Sequence, residues 1–444
     1  MSGRLGKIIL TAAVMTLTAA YASADTDGTY TGFTPYSIYG LGSIQNPGTA
    51  YNKTMGGVGV ASRNNRFINV INPAGITARD TLSLMIDMSV GNENRIFSQN
   101  DYKGVNNTFN ITDIAVSFPI YRTAAMALGI SPYSSTGYSC AYLYTDKDLI
   151  GRTGTAAYGS SGQGSVYQIF ASAGVMFWNR LSLGAEWIHY FGLVDKQESV
   201  EFSDDSFNDS KNIHSINVSA NTLKVGFQYE QPLPGQTSVT VGATYKLDAK
   251  MSGGSYNLSY ASGDVAVDTL SYSAYNFQSN NVCIPGELAV GVSVNVMDRI
   301  RAEFDYVRTD WTKSNFDKVE GLAIDNSSYS TGSTFKSSVS QEFRFGLEIV
   351  PNRNDIRYYF KRVAYRVGAY HKTESFTVDG RNITSSALTC GMTLPVFRWS
   401  NGITLGAEFG RRGSLKDNLV RETFCNFSIG FNLYDIWFQK FRYD

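Results

Sequence analysis

Hydrophobic and polar residues alternate with a period of two over most of the chain from about residue 81 onward. In "ITLGAEFG" (403–410) the first, third, fifth and seventh residues are apolar, and the residues between them are small or polar. The segments "CNFSIGFNL" (425–433) and "ELAVGVSVNV" (287–296) repeat this pattern. Such alternation predicts β-strands that each have one apolar face.

The connections between these strands distinguish a membrane barrel from a soluble sandwich, since strands of both have one apolar face. Long polar connections such as "SDDSFNDSKN" (203–212) and "NSSYSTGSTFKSS" (326–338) alternate with short turns. The short turns are predicted at 119–122, 179–180, 232–236, 297–299, 351–355 and 398–402. This alternation is typical of outer-membrane barrels. Six short turns and seven long connections predict an all-β fold, a transmembrane antiparallel β-barrel of about fourteen strands.

The amino-terminal residues have the features of a secretory signal. Arg4 and Lys7 precede an apolar stretch at 8–20, and Ala22-Ser23-Ala24 fits a small-x-small cleavage site. We therefore expect a signal peptide at residues 1–24 and localisation in the outer membrane of a Gram-negative bacterium. No later run of eighteen apolar residues predicts a membrane-spanning helix.

A barrel of about fourteen strands would enclose a lumen that its own side chains do not fill. Residues 25–80 precede the first predicted strand, so we expect them to form a hatch inside a barrel made of residues 81–444. A glycine-rich lead permits close approach of the backbone to the wall, and a later rigid bend turns the chain outward. The lead contains Gly56, Gly57 and Gly59, and the bend is Asn72, Pro73, Ala74 and Gly75.

The lead and the bend, placed directly before the first strand, resemble the long-chain fatty-acid transporter family of outer-membrane proteins, FadL and its toluene-transporting TodX-like relatives. The resemblance implies a fourteen-stranded barrel with an Asn-Pro-Ala motif in its hatch. It also implies passive uptake of small hydrophobic compounds, either long-chain fatty acids or aromatic hydrocarbons, with gating by the hatch and lateral release into the bilayer.

A second feature that matches this family is Ser131-Pro132-Tyr133, at the end of the third predicted strand. In the family this strand is kinked inward and opens the wall, and a proline there cannot donate to the ladder. Pro132 is therefore a candidate for a wall kink. The alternative is a proline just past the end of an ordinary strand.

Charged residues lie on the polar faces of several predicted strands. Unlike charges on neighbouring antiparallel strands would lie opposite or diagonal to one another. Two interpretations remain open: a salt-bridge network that pins the hatch, or an arginine fork that holds a ligand carboxylate. The candidates are Arg301, Glu303, Asp305, Arg344, Glu348, Arg366 and Glu408.

Catalytic and metal chemistry have little support in the sequence. There is no GxSxG motif, and the three histidines are widely separated. The four cysteines have no CxxC spacing. We expect no enzymatic activity, no metal and no cofactor. The chain has 38 basic and 38 acidic residues, so removal of Arg4 and Lys7 leaves 36 basic residues and a net charge of −2. This balance predicts no nucleic-acid partner.

The expected partners are outer-membrane lipid and a hydrophobic small-molecule ligand. Two alternatives belong to other classes. The chain could be a scaffold or docking protein of a secretion machine, with a protein partner bound through the extracellular loops, or a general diffusion porin. The sequence does not identify the ligand or the oligomeric state.

Overall fold

Fourteen antiparallel strands form a closed barrel in the described part of the chain, which confirms the predicted fold class. The computed structural model describes residues 30–80, 82–100, 102–144, 154–204, 206–262, 267–323, 334–396, 401–416 and 419–436. The predicted signal peptide lies outside these residues. The barrel strands are β1 (Ser83–Gln99), β2 (Tyr102–Tyr121), β3 (Ala124–Leu143), β4 (Ala156–Phe177), β5 (Leu181–Phe202), β6 (Asp209–Leu233), β7 (Thr237–Lys246), β8 (Glu287–Val296), β9 (Ile300–Asp310), β10 (Val339–Ile349), β11 (Ala364–Val378), β12 (Arg381–Pro395), β13 (Gly402–Gly413) and β14 (Arg421–Ile436).

Each barrel strand pairs with its neighbours in the sequence. The barrel is closed by pairing between β1 and β14, in register from Ser83 opposite Ile436 to Ser98 opposite Arg421. Burial follows the predicted alternation, with apolar residues outward. On β9, Phe304 is 44% exposed, whereas Glu303 is 2% exposed and Asp305 is 0% exposed. Exposed apolar residues therefore form the outer surface, as expected of a wall that faces lipid.

The connections differ from the prediction at several places. The segment 203–212 was predicted to be a long connection, but β5 extends to Phe202 and β6 begins at Asp209. Likewise β1 ends at Gln99 and β2 begins at Tyr102. The β4 and β5 strands have 22 residues each, about twice the number that a tilted strand needs to cross a bilayer. Much of the polar sequence is therefore strand that extends beyond the lipid-facing band.

The predicted turn at 351–355 is also longer than expected, because residues 350–363 separate β10 from β11 and contain a short helix. The other short helices and strands lie before the barrel or within its connections. They are the 3₁₀ helices Pro35–Ile38, Pro73–Ala78, Trp311–Lys313 and Phe316–Lys318, the helices α1 (Ala50–Lys53) and α2 (Tyr359–Arg362), and the strands Ser43–Ile44, Ala249–Lys250, Gly254–Ser262, Val267–Asn276, Cys283–Ile284 and Phe335–Ser337. Within the described ranges, no helix has the length and apolar character needed to span a membrane.

Candidate functional site

Residues 31–80, which we call the inner segment, pack inside the barrel against a belt of wall glycines. A Cβ atom added to any of these glycines would lie 3.0 Å or less from an atom of the inner segment. Several of them are direct cross-strand partners, such as Gly174 with Gly184 and Gly184 with Gly226. The glycine belt consists of Gly174, Gly184, Gly226, Gly242, Gly291, Gly346, Gly368, Gly391, Gly406 and Gly430. Side chains at these positions would exclude the inner segment from its place.

The bend lies where the sequence predicts a rigid turn. Pro73–Ala78 form a 3₁₀ helix, and the Asn72 side chain accepts a hydrogen bond from the Ala74 N–H at 2.9 Å. The Asn72 Nδ2 donates to the carbonyl oxygens of Val60 at 2.7 Å and of Phe227 on β6 at 3.2 Å. Gly75 packs against Asn69. Asn72 is fully buried, so this side chain joins two parts of the inner segment to the wall.

The glycine-rich lead is held by charged residues of the wall. Gly56 and Gly57 have φ angles of +67° and +80°, a conformation that glycine adopts at low cost. The Asp305 carboxylate accepts hydrogen bonds from the N–H groups of Gly59 at 2.7 Å and Val60 at 2.9 Å. Arg344 donates to the Gly57 carbonyl oxygen at 3.1 Å. Two of the predicted luminal charges therefore bind the inner segment through its backbone.

A second group of luminal charges surrounds the aromatic ring of Tyr51. The Arg366 guanidinium lies 4.5 Å from the centre of this ring and pairs with Glu348 at 2.8 Å. Arg301 donates to the Tyr51 hydroxyl at 3.2 Å and lies 4.0 Å from Glu303. All three candidate arginines thus have partners in the wall and in the inner segment. These contacts favour the salt-bridge interpretation over an arginine fork for a ligand.

Glu408 lies apart from the other six luminal candidates. Its carboxylate accepts hydrogen bonds from the Tyr370 hydroxyl at 2.5 Å and from Asn426 at 3.2 Å. It lines an internal cavity.

The wall is split between β2 and β3 at the level of Pro132. Pairing between these strands runs from Tyr121 opposite Ala124 to Ile114 opposite Ile130, and no further pair joins them in the described part. Beyond this point β3 keeps its pairing with β4, with a bulge between Pro132 and Ser134. Pro132 therefore lies at the break.

Past the break, β3 pairs with the inner segment in place of β2. Ser134 and Ser135 pair with Ile44 and Ser43 in an antiparallel bridge. The N–H of Gln45 donates to the Tyr133 carbonyl oxygen at 2.9 Å. The free edge of β3 is therefore covered from inside the barrel.

Two internal cavities adjoin this break, with volumes of about 120 and 140 Å³. Pro132 and Lys53 line both of them. Apolar residues of the second cavity include Val70, Phe170 and Ile188, beside several charged residues. The cavities are thus partly apolar, with polar groups at fixed positions, as in most small-molecule sites.

Lys53 was missed by the sequence analysis, because one lysine in a short non-periodic segment carries no pattern. Its ammonium group has no hydrogen bond or ion pair with any of the residues that the structure describes. Desolvation lowers the pKa of Lys53, and the carboxylates of Asp113, Glu93 and Glu408 oppose this effect. Other cations also line the cavities but have carboxylate partners, so among the described lining residues Lys53 is the cation available to pair with a ligand.

A packed apolar cap lies at the end of the lumen opposite the short turns. Inner-segment side chains meet the connection between β9 and β10 there. The Gly40 N–H donates to the Leu322 carbonyl oxygen at 3.0 Å, and Lys196 donates to the carbonyl oxygens of Gly40 at 3.0 Å and Gly321 at 2.8 Å. The apolar side chains include Tyr36, Tyr39, Leu41, Trp311, Phe316, Leu322, Phe376 and Val378.

No group of three or more His, Cys, Asp or Glu side chains in the described ranges is arranged to hold a metal ion. The four cysteines, Cys140, Cys283, Cys390 and Cys425, are unpaired. The side chains that line the two cavities offer a ligand hydrogen-bonding, charged and apolar contacts.

A protein-family model described as BamG matches residues 5–444, almost the whole chain. The chain belongs to the BamG family. No curated protein matches this BamG family member.

Solved structures give a likeness of fold at low sequence identity. The CymD monoaromatic hydrocarbon channel is 14% identical, with a TM-score of 0.57, over 89% of this chain and 98% of its own. The Pseudomonas putida toluene transporter TodX is 14% identical, with a TM-score of 0.56, over 89% and 98%. A Pseudomonas aeruginosa FadL homologue is 9% identical, with a TM-score of 0.57, over 89% and 99%. The resemblance to the FadL and TodX barrels is thereby confirmed at the level of fold for this member of the BamG family.

Proposed function

We propose that this chain is an outer-membrane channel for passive uptake of small hydrophobic compounds, with residues 25–80 as its hatch and residues 81–444 as its barrel. Residues 1–24 would direct export as a signal peptide. The observation that carries the proposal is the split beside Pro132, because an internal cavity reaches the wall where the β2–β3 ladder ends. The likeness in fold to hydrocarbon channels supports the same conclusion.

The size of the cavities favours a small ligand in this closed state. A dry engineered cavity of roughly 150 Å³ binds benzene, and the cavities here measure about 120 and 140 Å³. A monoaromatic hydrocarbon is therefore the better fit. A long acyl chain would require the inner segment to move.

Lateral release agrees with the chemistry of an apolar ligand. Exit along the barrel axis would return the ligand to water and restore the cost of hydrating its apolar surface. An opening between β2 and β3 leads instead to lipid. The contact that must yield is the short bridge between β3 and the strand Ser43–Ile44, which covers this edge from inside.

A disulfide across this bridge tests the route. In a variant that lacks the four native cysteines, S43C/S135C places two cysteines at positions that are Cα partners, a suitable separation for a disulfide. We expect uptake of labelled toluene and oleate into proteoliposomes to fall to background when the pair is oxidised and to return with reductant, because the edge of β3 can no longer separate.

The matched control is S117C/A127C, which cross-links β2 and β3 where their ladder is already continuous. Oxidation of this pair should leave uptake unchanged. Equal uptake by the oxidised S43C/S135C protein would exclude release through the split.

Lys53 offers a test of ligand charge. K53M keeps a long side chain and removes the ammonium group. A ligand with an anionic head should bind about ten- to a hundredfold more weakly, because a hydrogen bond to a charged group is worth roughly 1.5–3 kcal/mol. Binding of toluene should not change. Calorimetric titration of purified protein with oleate and with toluene measures both, and equal loss for the two ligands would assign Lys53 a structural role.

A role as a scaffold or docking protein is the second candidate, and the apolar cap favours it. The cap occupies the long-connection end of the lumen, where the transport proposal requires entry. Native mass spectrometry of purified protein separates the two. Bound lipid or detergent in the lumen supports transport, whereas an empty barrel that is indifferent to hydrophobic ligands supports docking. A general diffusion porin is disfavoured, because cap and inner segment both occupy the lumen.

A further inference from the structure

The connection between β10 and β11, residues 350–363, is an ordered structure at the short-turn end of the barrel. The Asp355 carboxylate accepts hydrogen bonds from the N–H groups of Arg357 at 2.9 Å and Tyr358 at 2.7 Å. Hydrogen bonding from the Tyr358 backbone holds the pKa of Asp355 below its usual value, so the carboxylate is charged at neutral pH. The Asn352 N–H donates to the Lys361 carbonyl oxygen at 2.8 Å. We call residues 350–363 the collar.

The collar lies on the outer side of the wall. On β11, Tyr365 and Val367 belong to the outward face, while Arg366 between them points inward and is buried. The hydroxyl of the outward Tyr365 donates to the Phe360 carbonyl oxygen at 3.1 Å. The Tyr359 hydroxyl donates to the carbonyl oxygen of Pro395, the last residue of β12, at 3.0 Å. These two bonds place α2 against the outer surface, at the border of the lipid-facing band nearest the short turns.

The collar exposes several large apolar side chains, which is unusual for a turn that faces water. Ile356 is 92% exposed, Phe360 is 73% exposed and Tyr358 is 60% exposed. Aromatic and aliphatic side chains at the border of a barrel are expected to lie at the level of the lipid headgroups. Because the collar continues the lipid-facing surface of β11, lipid is the occupant that its position favours over a protein.

Basic side chains accompany these apolar groups. Residues 350–363 contain four basic residues and one carboxylate. Arg353 is used by the barrel, since it pairs with Glu348 at 3.3 Å. Lys361 pairs with Asp355 at 3.3 Å while half of its side chain stays exposed, and its ammonium group lies 4.5 Å from the centre of the Tyr358 ring. Arg362 lies 5.1 Å from the centre of the Tyr359 ring. The Arg357 side chain is exposed. A cationic rim beside exposed apolar groups is the pattern of an interfacial segment that attracts anionic lipid.

We propose that the collar binds the headgroups of anionic phospholipids in the leaflet at the short-turn end of the barrel, through Arg357, Lys361 and Arg362, while Ile356 and Phe360 enter the acyl-chain border. This interaction surface anchors the wall between β10 and β12. It is independent of any ligand transported through the lumen.

Native mass spectrometry of the full chain in mixed micelles tests the proposal, with phosphatidylglycerol and phosphatidylethanolamine as probes. We expect the wild type to retain phosphatidylglycerol preferentially. In R357Q/K361Q/R362Q the apparent affinity for phosphatidylglycerol should be about a hundredfold lower, given a contribution of roughly fivefold from each basic residue near a membrane surface. The matched control K313Q/K318Q/K336Q removes three exposed charges from the connection between β9 and β10 at the opposite end and should retain wild-type preference.

A second measurement locates the collar directly. I356W places an indole at the most exposed apolar position of the collar. Its fluorescence should be quenched by phosphatidylglycerol brominated on its acyl chains, in excess of the quenching of the wild-type tryptophans. Absence of this extra quenching would overturn the proposal and favour a protein as the occupant. An equal decrease in affinity for phosphatidylglycerol in the collar variant and in the control would also overturn the proposal.

Discussion

Replacing Gly184 by alanine is expected to unseat the bend of the inner segment while the barrel itself stays folded. A Cβ at Gly184 would lie 2.5 Å from the nitrogen of Ala74. The added Cβ is fixed to the wall strand and the atom it meets belongs to the backbone of the bend, so neither can move aside as a flexible side chain would. Overpacking of this kind costs about 1–3 kcal/mol. A cost of about 2 kcal/mol to the seated state corresponds to a roughly thirtyfold larger population of molecules in which the bend is unseated. Conductance in planar bilayers should therefore rise from near zero.

The matched control is Gly104→Ala on β2, where an added Cβ meets only Phe97 at an ordinary 3.7 Å. This variant should conduct like the wild type. Both proteins should keep the heat-dependent gel mobility of a folded barrel. If Gly184→Ala remained closed, the belt would not be needed to seat the inner segment.

Asp305→Ala is expected to loosen the glycine-rich lead. Asp305 is fully buried and accepts the N–H groups of both Gly59 and Val60. Without the carboxylate these two donors are left unsatisfied, at about 1–3 kcal/mol each. Hydrogen exchange at the Gly59 and Val60 amides should accelerate by at least about tenfold.

Asp305→Asn provides a graded comparison. The amide oxygen keeps one acceptor of similar shape, so exchange should lie between the wild type and Asp305→Ala. Unchanged exchange in the alanine variant would mean that the lead is held without Asp305. Equal acceleration in both variants would assign the effect to the lost charge beside Arg344.

The wall of the barrel could be predicted from the sequence because lipid and lumen impose opposite demands on successive residues. On β9, the alternation of Glu303, Phe304 and Asp305 gives both faces directly. The sequence analysis missed how far β5 and β6 extend, because their outer parts lie beyond the lipid-facing band. Beyond the bilayer both faces of a strand contact polar surroundings, so segment 203–212 carries no period-two signal, although its flanks are strand.

The candidate site was predictable in its residues but only partly in its contacts. The bend at Asn72 and the luminal position of Arg344 follow from local rules, while their partners Phe227 and Gly57 depend on how the inner segment crosses the barrel. The glycine belt was missed, because each glycine alone is an unremarkable small residue of a polar face. Its signal was the recurrence of glycine at the middle of inward faces on many strands.

The closure of β1 on β14 has a consequence for the order of biogenesis. The inner segment packs against a glycine on every strand from β4 to β14 except β9, and residues of the cap also contact it. We therefore expect the inner segment to take its place while the sheet is still open, before pairing of the first and last strands encloses it.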